Sequence, residues 1–124
     1  MTAVRDVMKE ELVVVAPEAT VIQAAGAMYA RRTGSALVME GDRLAGIFTE
    51  RDIMRALSGT SDAGRSSLVR DRMTAHPQVI DPSATVGEAL DRMLSGGFRH
   101  LPVVEGGRVV GMVSMRDLAA SIGR

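Results

Sequence analysis

Apolar residues recur with helical spacing twice along the chain, each time directly after a threonine. After Thr20 the apolar positions are Val21, Ala24, Ala25 and Met28, and after Thr85 they are Val86, Ala89, Leu90 and Met93. The spacing i, i+3, i+4, i+7 predicts a helix with one apolar face. Gln23 and Glu88 lie three residues after these threonines. Each helix is therefore predicted to begin with a capping box.

Short apolar runs predict strands on both sides of these helices. One strand precedes each Pro turn, and two strands joined by a tight Gly turn follow each helix. The predicted strands are 12–15, 36–39 and 44–48, then 78–80, 101–104 and 109–113. A closing helix is predicted over 50–57 and again over 115–122. The order strand, helix, strand, strand, helix therefore occurs twice.

The two halves of the chain are copies of one another, displaced by 65 residues. Aligning residues 4–57 with 69–122 needs no gap and gives 18 identities in 54 positions. The small, polar segment 58–68 between them is predicted to be a linker. One repeat alone buries too little surface to be stable. We therefore predict an α/β (α+β) fold in which two βαββα repeats pack sheet to sheet with pseudo-twofold symmetry.

Charge and composition exclude several classes of function. Lys and Arg number 15, Asp and Glu number 15, and aromatic residues are 2% of the chain. This balance argues against a nucleic-acid binder, which normally carries a basic face or a stacking platform. Apolar runs are too short for a membrane span, and no signal peptide is evident. With no Cys, a cytoplasmic protein is expected. Two His, no metal-ligand cluster and no Ser-His-Asp spacing argue against an enzyme.

The ordered motifs resemble a tandem pair of CBS domains, the Bateman module. They are V-R-D-V-M, P-E-A-T-V and G-I-F-T-E-R-D-I in the first repeat. The second repeat has V-R-D-R-M, P-S-A-T-V, R-H-L-P-V-V and G-M-V-S-M-R-D-L. The resemblance implies a regulatory module, usually a dimer of pairs, with no catalysis and no obligatory cofactor. Many members bind AMP, ADP, ATP or S-adenosylmethionine in clefts between the two repeats.

The same resemblance assigns the carboxylates. Asp52 and Asp117 match the residue that accepts hydrogen bonds from both ribose hydroxyls, and two carboxylate oxygens suit a vicinal diol. Thr49 and Ser114 match a residue near the ribose or phosphate. A capping box explains [ST]-x-x-[DE] equally well, and both roles can coexist.

Four basic residues are the candidates for phosphate contacts. Arg99 and His100 match positions that contact phosphates in some members. The alternative interpretation is that Arg99 is a solvated surface residue and His100 a surface residue with no ligand role. Arg51 and Arg116 either reach phosphates or are exposed helix-face charges. Family geometry places the ribose Asp of one repeat near the phosphate-facing residues of the other. Asp52 would then share a cleft with Arg99, His100 and Arg116.

The first repeat differs at the phosphate-facing positions, because Gly34 and Ser35 stand where the second has Arg99 and His100. Asp117 is therefore expected to have Arg51 as its only cation, and phosphorylated ligands are expected to prefer the Asp52 cleft. Gly46 and Gly111 are interpreted as sites of close backbone packing. Four apolar residues could flank an adenine but are expected in the core: Val14, Val15, Val79 and Ile80.

Two functions from different classes fit these observations. The first is a stand-alone sensor that binds an adenosine-containing ligand and signals to a partner protein, which the sequence does not name. The second is a ligand-free dimerisation scaffold. An enzyme or DNA binder with an unrecognised site is a distant third. A homodimer is expected through the closing and capped helices, because these short helices carry an apolar surplus of Ile53, Met54, Leu57, Leu118 and Ile122.

Overall fold

The computed structural model describes residues 2–59 and 63–122. The elements up to the predicted linker are a 3-10 turn Val4–Asp6, β1 Val14–Val15, α1 Val21–Arg31, β2 Ser35–Glu40, β3 Arg43–Thr49 and α2 Glu50–Leu57. Those after it are α3 Ala63–Ser66, α4 Val69–Arg72, β4 Thr74–Ala75, α5 Val86–Gly96, β5 His100–Glu105, β6 Arg108–Ser114 and α6 Met115–Ile122. The α+β fold with two copies of the βαββα order is confirmed.

Two predicted segments differ in detail from the structure. The first strand of the second repeat is a single parallel bridge between Ile80 and Val103, whereas β1 pairs with β2 over two residues. Within the predicted linker 58–68, α3 is helical and residues 60–62 lie outside the described residues. Gly64 of α3 is buried so closely against the carbonyl of Ala56 that no side chain would fit there.

The chain forms two compact units that do not coincide with the sequence repeats. One unit is continuous and runs from Val13 to Pro77. The other combines the chain up to Leu12 with the chain from Gln78 onward. We call them the continuous unit and the split unit. Each unit therefore holds the body of one repeat and the opening segment of the other.

Backbone hydrogen bonds attach each opening segment at equivalent positions. In the split unit, Val4 N donates to Ala84 O at 2.8 Å and Arg5 N donates to Pro82 O at 3.0 Å. In the continuous unit, the bonds at the corresponding residues run from Val69 N to Ala19 O (2.8 Å) and from Arg70 N to Pro17 O (3.0 Å). The two units thus attach their opening segments through the same pair of backbone hydrogen bonds.

Each opening segment also places one side chain in the core of its unit. Val4 and Val69 are both fully buried. Val69 joins a cluster that includes Val21, Met28 and Phe48, and Val4 joins the matching cluster of the split unit. The apolar faces predicted for the capped helices are the faces that line these cores.

The helix ends are capped as the sequence indicates, with one difference. Thr20 Oγ1 accepts from Gln23 N at 3.2 Å and Gln23 Oε1 accepts from Thr20 N at 2.9 Å, so the first capping box is complete. Thr85 Oγ1 accepts from Glu88 N at 3.1 Å. The Glu88 carboxylate lies 3.6 Å from Arg92, one turn further along the helix. An ion pair therefore replaces the second half of that box.

A glycine in the second strand of each hairpin allows the opening segment to approach. A Cβ on Gly46 would lie 2.5 Å from Thr74 O and 2.8 Å from Met73 Sδ. A Cβ on Gly111 would lie 2.5 Å from Met8 Sδ and 3.0 Å from Lys9 O. Close packing is therefore the observed reason for both glycines.

We predict that Gly46→Ala lowers the free energy of unfolding by about 1–3 kcal/mol, because the added methyl overpacks a backbone contact. Gly111→Ala should cost less, since the nearest obstacle is the flexible end of Met8. Urea denaturation measures both. The control is Gly26→Ala in α1, where nothing lies within 4 Å of the added atom, and which should stabilise by about 0.5–1 kcal/mol. Equal stability of Gly46→Ala and the parent would contradict the close-approach explanation.

Candidate functional site

The junction of β3 and α2 holds the first predicted carboxylate. The helix follows the strand with no residue between them. Asp52, in the first turn, accepts at Oδ2 from Thr49 N at 2.9 Å and from Thr49 Oγ1 at 3.2 Å. Asp52 is only 6% exposed. The two bonds fix the rotamer of a nearly buried carboxylate at the start of a helix.

The junction of β6 and α6 repeats this arrangement in the split unit. Asp117 Oδ2 accepts from Ser114 N at 3.1 Å and from Ser114 Oγ at 2.9 Å. Asp117 N donates in return to Ser114 Oγ at 3.2 Å. The Asp117 side chain is 14% exposed. The capping interpretation of both motifs is thus realised, and it involves one carboxylate oxygen in each.

The second oxygen of each carboxylate remains outside the cap. Within residues 2–59 and 63–122, Asp52 Oδ1 accepts no hydrogen bond. Asp117 Oδ1 lies 4.0 Å from Lys9 Nζ, beyond hydrogen-bond distance. An ionised carboxylate oxygen has two acceptor positions, enough for two vicinal hydroxyls. Each junction can therefore cap its helix and bind a diol at the same time.

Several predicted residues meet at the same end of the split unit's hairpin. His100 pairs with Ser114 across the two strands, and Arg99 O accepts from Met115 N at 2.9 Å. Arg99 is exposed and His100 is half-buried. Arg99, His100, Ser114 and Asp117 are thus neighbours in one unit.

The continuous unit has the same backbone arrangement without the charges. Ser35 pairs with Thr49, and Gly34 O accepts from Glu50 N at 3.1 Å. Ser35 is buried. The absence of charge at these two positions, read from the sequence, makes the two hairpin ends chemically different.

Arg51 and Arg116 are each the second residue of a closing helix. Both side chains are exposed, and in the described part of the chain neither forms an ion pair. Both residues lie in the first turn of a helix, the end at which a negative charge is favoured.

Two sequence-based expectations about this region are wrong. Val15 and Ile80 are buried as expected, but Val14 and Val79 are 56% and 37% exposed. The reason is strand alternation, since adjacent side chains point to opposite faces. The expectation that Arg51 is the only cation available to Asp117 is also wrong, because Lys9 lies beside it.

Lys9 could not be found from the motifs, because it lies more than 100 residues from Asp117 in sequence. The opening segment brings it there. Lys9 N donates to Met112 O, and Met112 N donates to Lys9 O, both at 2.9 Å. The alignment of the two repeats shows only that a lysine stands at position 9 where the second repeat has Thr74. It does not show that this lysine lies near Asp117.

Comparison with known proteins agrees with this architecture. The sequence pattern of the CBS domain matches residues 4–59 and 69–124. The chain is 37% identical over 123 residues to an uncharacterized 17.7 kDa protein of Acidianus ambivalens, covering 98% of this chain and 73% of that one. Other curated relatives are longer, and the chain spans 16% and 42% of two of them.

Solved structures give the same result. A CBS-domain containing protein from Agrobacterium tumefaciens superposes with a TM-score of 0.92 at 31% identity, covering 98% of this chain and 99% of that one. CBSX2, solved in complex with AMP, superposes with a TM-score of 0.80 at 26% identity over the whole of both chains. No helix in the described residues is long and apolar enough to cross a membrane. With the family pattern matched in both repeats, the chain belongs to the CBS domain family.

Proposed function

We propose that this chain is a regulatory module that binds an adenosine-containing ligand (AMP, ADP, ATP or S-adenosylmethionine) and signals to a partner protein. The observation that carries the proposal is the pair of carboxylates, Asp52 and Asp117. Each is held by a helix cap through one oxygen and keeps the other available. Binding of AMP by CBSX2, at 26% identity over the full chain, supports this ligand class.

In this proposal the carboxylate Oδ1 atoms of Asp52 and Asp117 accept the ribose hydroxyls. Thr49 and Ser114 hold those carboxylates in place and lie beside the ribose or phosphate. Arg51, Arg99, His100 and Arg116 provide donors for phosphate oxygens, and guanidinium groups suit phosphate geometry. The expected sharing of one ligand between Asp52 and Arg99 stays a prediction. The module itself carries out no catalysis, and a cytoplasmic location also stays a prediction.

A ligand-free scaffold is the second candidate, and one observation favours it. Helix capping alone gives both Asp52 and Asp117 a structural role. A scaffold would keep these residues without binding any nucleotide. The two functions therefore differ in whether an adenine compound binds at all.

Substitution by Asn separates the capping role from the ligand role. Asp52 and Asp117 lie three residues after Thr49 and Ser114, and an amide oxygen at that position can accept the same hydrogen bonds, so Asp52→Asn and Asp117→Asn should keep the fold. With the amide oxygen in the cap, the amide nitrogen takes the position of Oδ1 and can no longer accept from a hydroxyl. We expect each variant to weaken AMP binding at its own site by about 10- to 100-fold, as lost charge-assisted hydrogen bonds would. Isothermal titration calorimetry measures this.

The matched control is Asp42→Asn, an exposed carboxylate at the opposite end of β3. It should leave AMP affinity unchanged. Unaltered affinity in both site variants would remove the carboxylates from the ligand site. No heat from the parent protein with AMP, ADP, ATP or S-adenosylmethionine would favour the scaffold.

We further propose that the protein is a homodimer formed through exposed apolar positions of its helices. Ile53 packs against the core of the continuous unit and Leu118 is fully buried, so these two residues are not part of an exposed surplus. Met54, Leu57 and Ile122 are 71%, 48% and 59% exposed. The capped helices add exposed Tyr29 and Leu94, which are equivalent positions of the two repeats. Exposed apolar side chains of this kind often form the interface of a symmetric dimer.

Light scattering at micromolar concentration should therefore report a dimer. Met54→Glu should raise the dimer dissociation constant by about tenfold or more, because burying a Met side chain contributes about 1.5–3 kcal/mol and the new charge opposes burial. Arg55→Glu, at the next exposed position of α2, is the matched control and should leave the dimer intact. A parent protein that is monomeric would contradict the proposal.

A further inference from the structure

The Lys9 ammonium lies at the edge of the Asp117 carboxylate. Nζ is 4.0 Å from Oδ1, the oxygen that the helix cap does not use. The Lys9 side chain is 71% exposed and the Asp117 side chain 14%. An exposed cation therefore lies beside a nearly buried acceptor.

The backbone of Lys9 is fixed although its side chain is exposed. It bridges to Met112 in β6 through two hydrogen bonds of 2.9 Å. Gly111, beside Met112, permits this approach, since a Cβ there would lie 3.0 Å from Lys9 O. The charge is thus delivered to one place by the fold of the split unit.

The continuous unit has the same construction without this charge. Thr74 is the residue aligned with Lys9, and it pairs with Ile47 in β3 as Lys9 pairs with Met112. Lys9 is the only lysine in the sequence. The position therefore carries a full positive charge beside Asp117 and a neutral hydroxyl in the unit of Asp52.

A purely structural role explains Lys9 poorly. An ion pair of 4.0 Å with one largely exposed partner contributes little to stability, because water screens it and the side chain loses freedom. The charge nevertheless acts on any charged group that a ligand brings next to Asp117. Two unit charges at 4–8 Å in a watery setting change an affinity by roughly two- to fivefold.

We propose that Lys9 sets the charge preference of the Asp117 site, favouring adenosine compounds that carry a negative phosphate over those that carry a positive sulfonium. This inference rests on the proposed function. Lys9 is a specificity-determining residue here, and the ribose hydroxyls still bind to the carboxylate. The site of Asp52 receives no such bias from Thr74.

The test measures three ligands of different charge on one site. AMP is negative, adenosine is neutral and S-adenosylmethionine is positive at its sulfonium. The Asp52→Asn background leaves Asp117 as the only intact carboxylate site. Lys9→Met in that background should weaken AMP by about two- to fivefold relative to adenosine and strengthen S-adenosylmethionine relative to adenosine by a similar factor. Comparing ratios cancels any general effect of Lys9 on the carboxylate as an acceptor.

Four controls make the result specific. Lys9→Arg keeps the charge and should keep the parent ratios. Raising NaCl from about 0.05 M to about 0.5 M should move the parent ratios toward those of Lys9→Met, since exposed charges are screened. Thr74→Lys in the Asp117→Asn background should transfer the preference for AMP to the other unit. Thermal unfolding should be the same in Lys9→Met as in its parent.

The outcomes separate this inference from the function on which it rests. Binding of the three probes with ratios unchanged by Lys9→Met overturns the role of Lys9 and leaves the adenosine-binding function intact. A shift in the direction opposite to that stated also overturns it. Absence of binding by every probe to the parent protein overturns the proposed function and this inference together.

Discussion

The structure depends on the attachment of each opening segment to the body of the other repeat. The bonds from Val4 to Ala84 and from Val69 to Ala19 have the same length and the same place in the repeat. Each attachment buries a valine completely and lays an extended segment beside the second strand of a hairpin. Without it, each core would lose a member and each sheet an edge partner. A repeat of this size is too small to compensate for that loss.

A second constraint, the direct passage from strand to helix, positions the carboxylates at the end of each hairpin. Because β3 and β6 run directly into α2 and α6, the carboxylates of Asp52 and Asp117 fall at the strand–helix junctions. The cap fixes one oxygen of each carboxylate and thereby aims the other. Preorganisation of this kind lowers the cost of ordering a side chain when a ligand binds. The helix cap thus holds the carboxylate in the orientation that the proposed ligand binding requires.

Most of the helices and strands could be predicted from the sequence, but which opening segment packs on which repeat could not. The apolar spacing and the threonine caps located α1 and α5, and the closing helices start at Glu50 and Met115 as expected. The alignment of the repeats matches Val4 with Val69. The same alignment would result whether each opening segment packed on its own repeat or on the other one. Periodicity carries no information on that choice. Lys9 was missed for this reason, since its contact with Asp117 exists only in the exchanged arrangement.

Side-chain placement on the short closing helices was only partly predictable. Met54 is exposed while its neighbour Ile53 packs on the core. A helix of eight residues has only about two turns, so its apolar spacing does not determine which face is buried. Adding or removing one apolar residue changes the predicted face. The equivalent α6 buries Leu118 completely and exposes Ile122. The buried face is set by packing of α2 against β3 and α1, and of α6 against β6 and α5, which composition and spacing do not encode.

The different connectivity of the two units has a consequence for how the molecule is assembled on the ribosome. All residues of the continuous unit emerge in one uninterrupted stretch, so its core can close while the rest is still being made. The split unit must wait, because Val4 has no partner until Ala84 has been synthesised. Contacts between residues so distant in the chain form slowly. During that interval the Val4 side chain has no core to enter, so the split unit can complete its core only after the continuous unit has emerged.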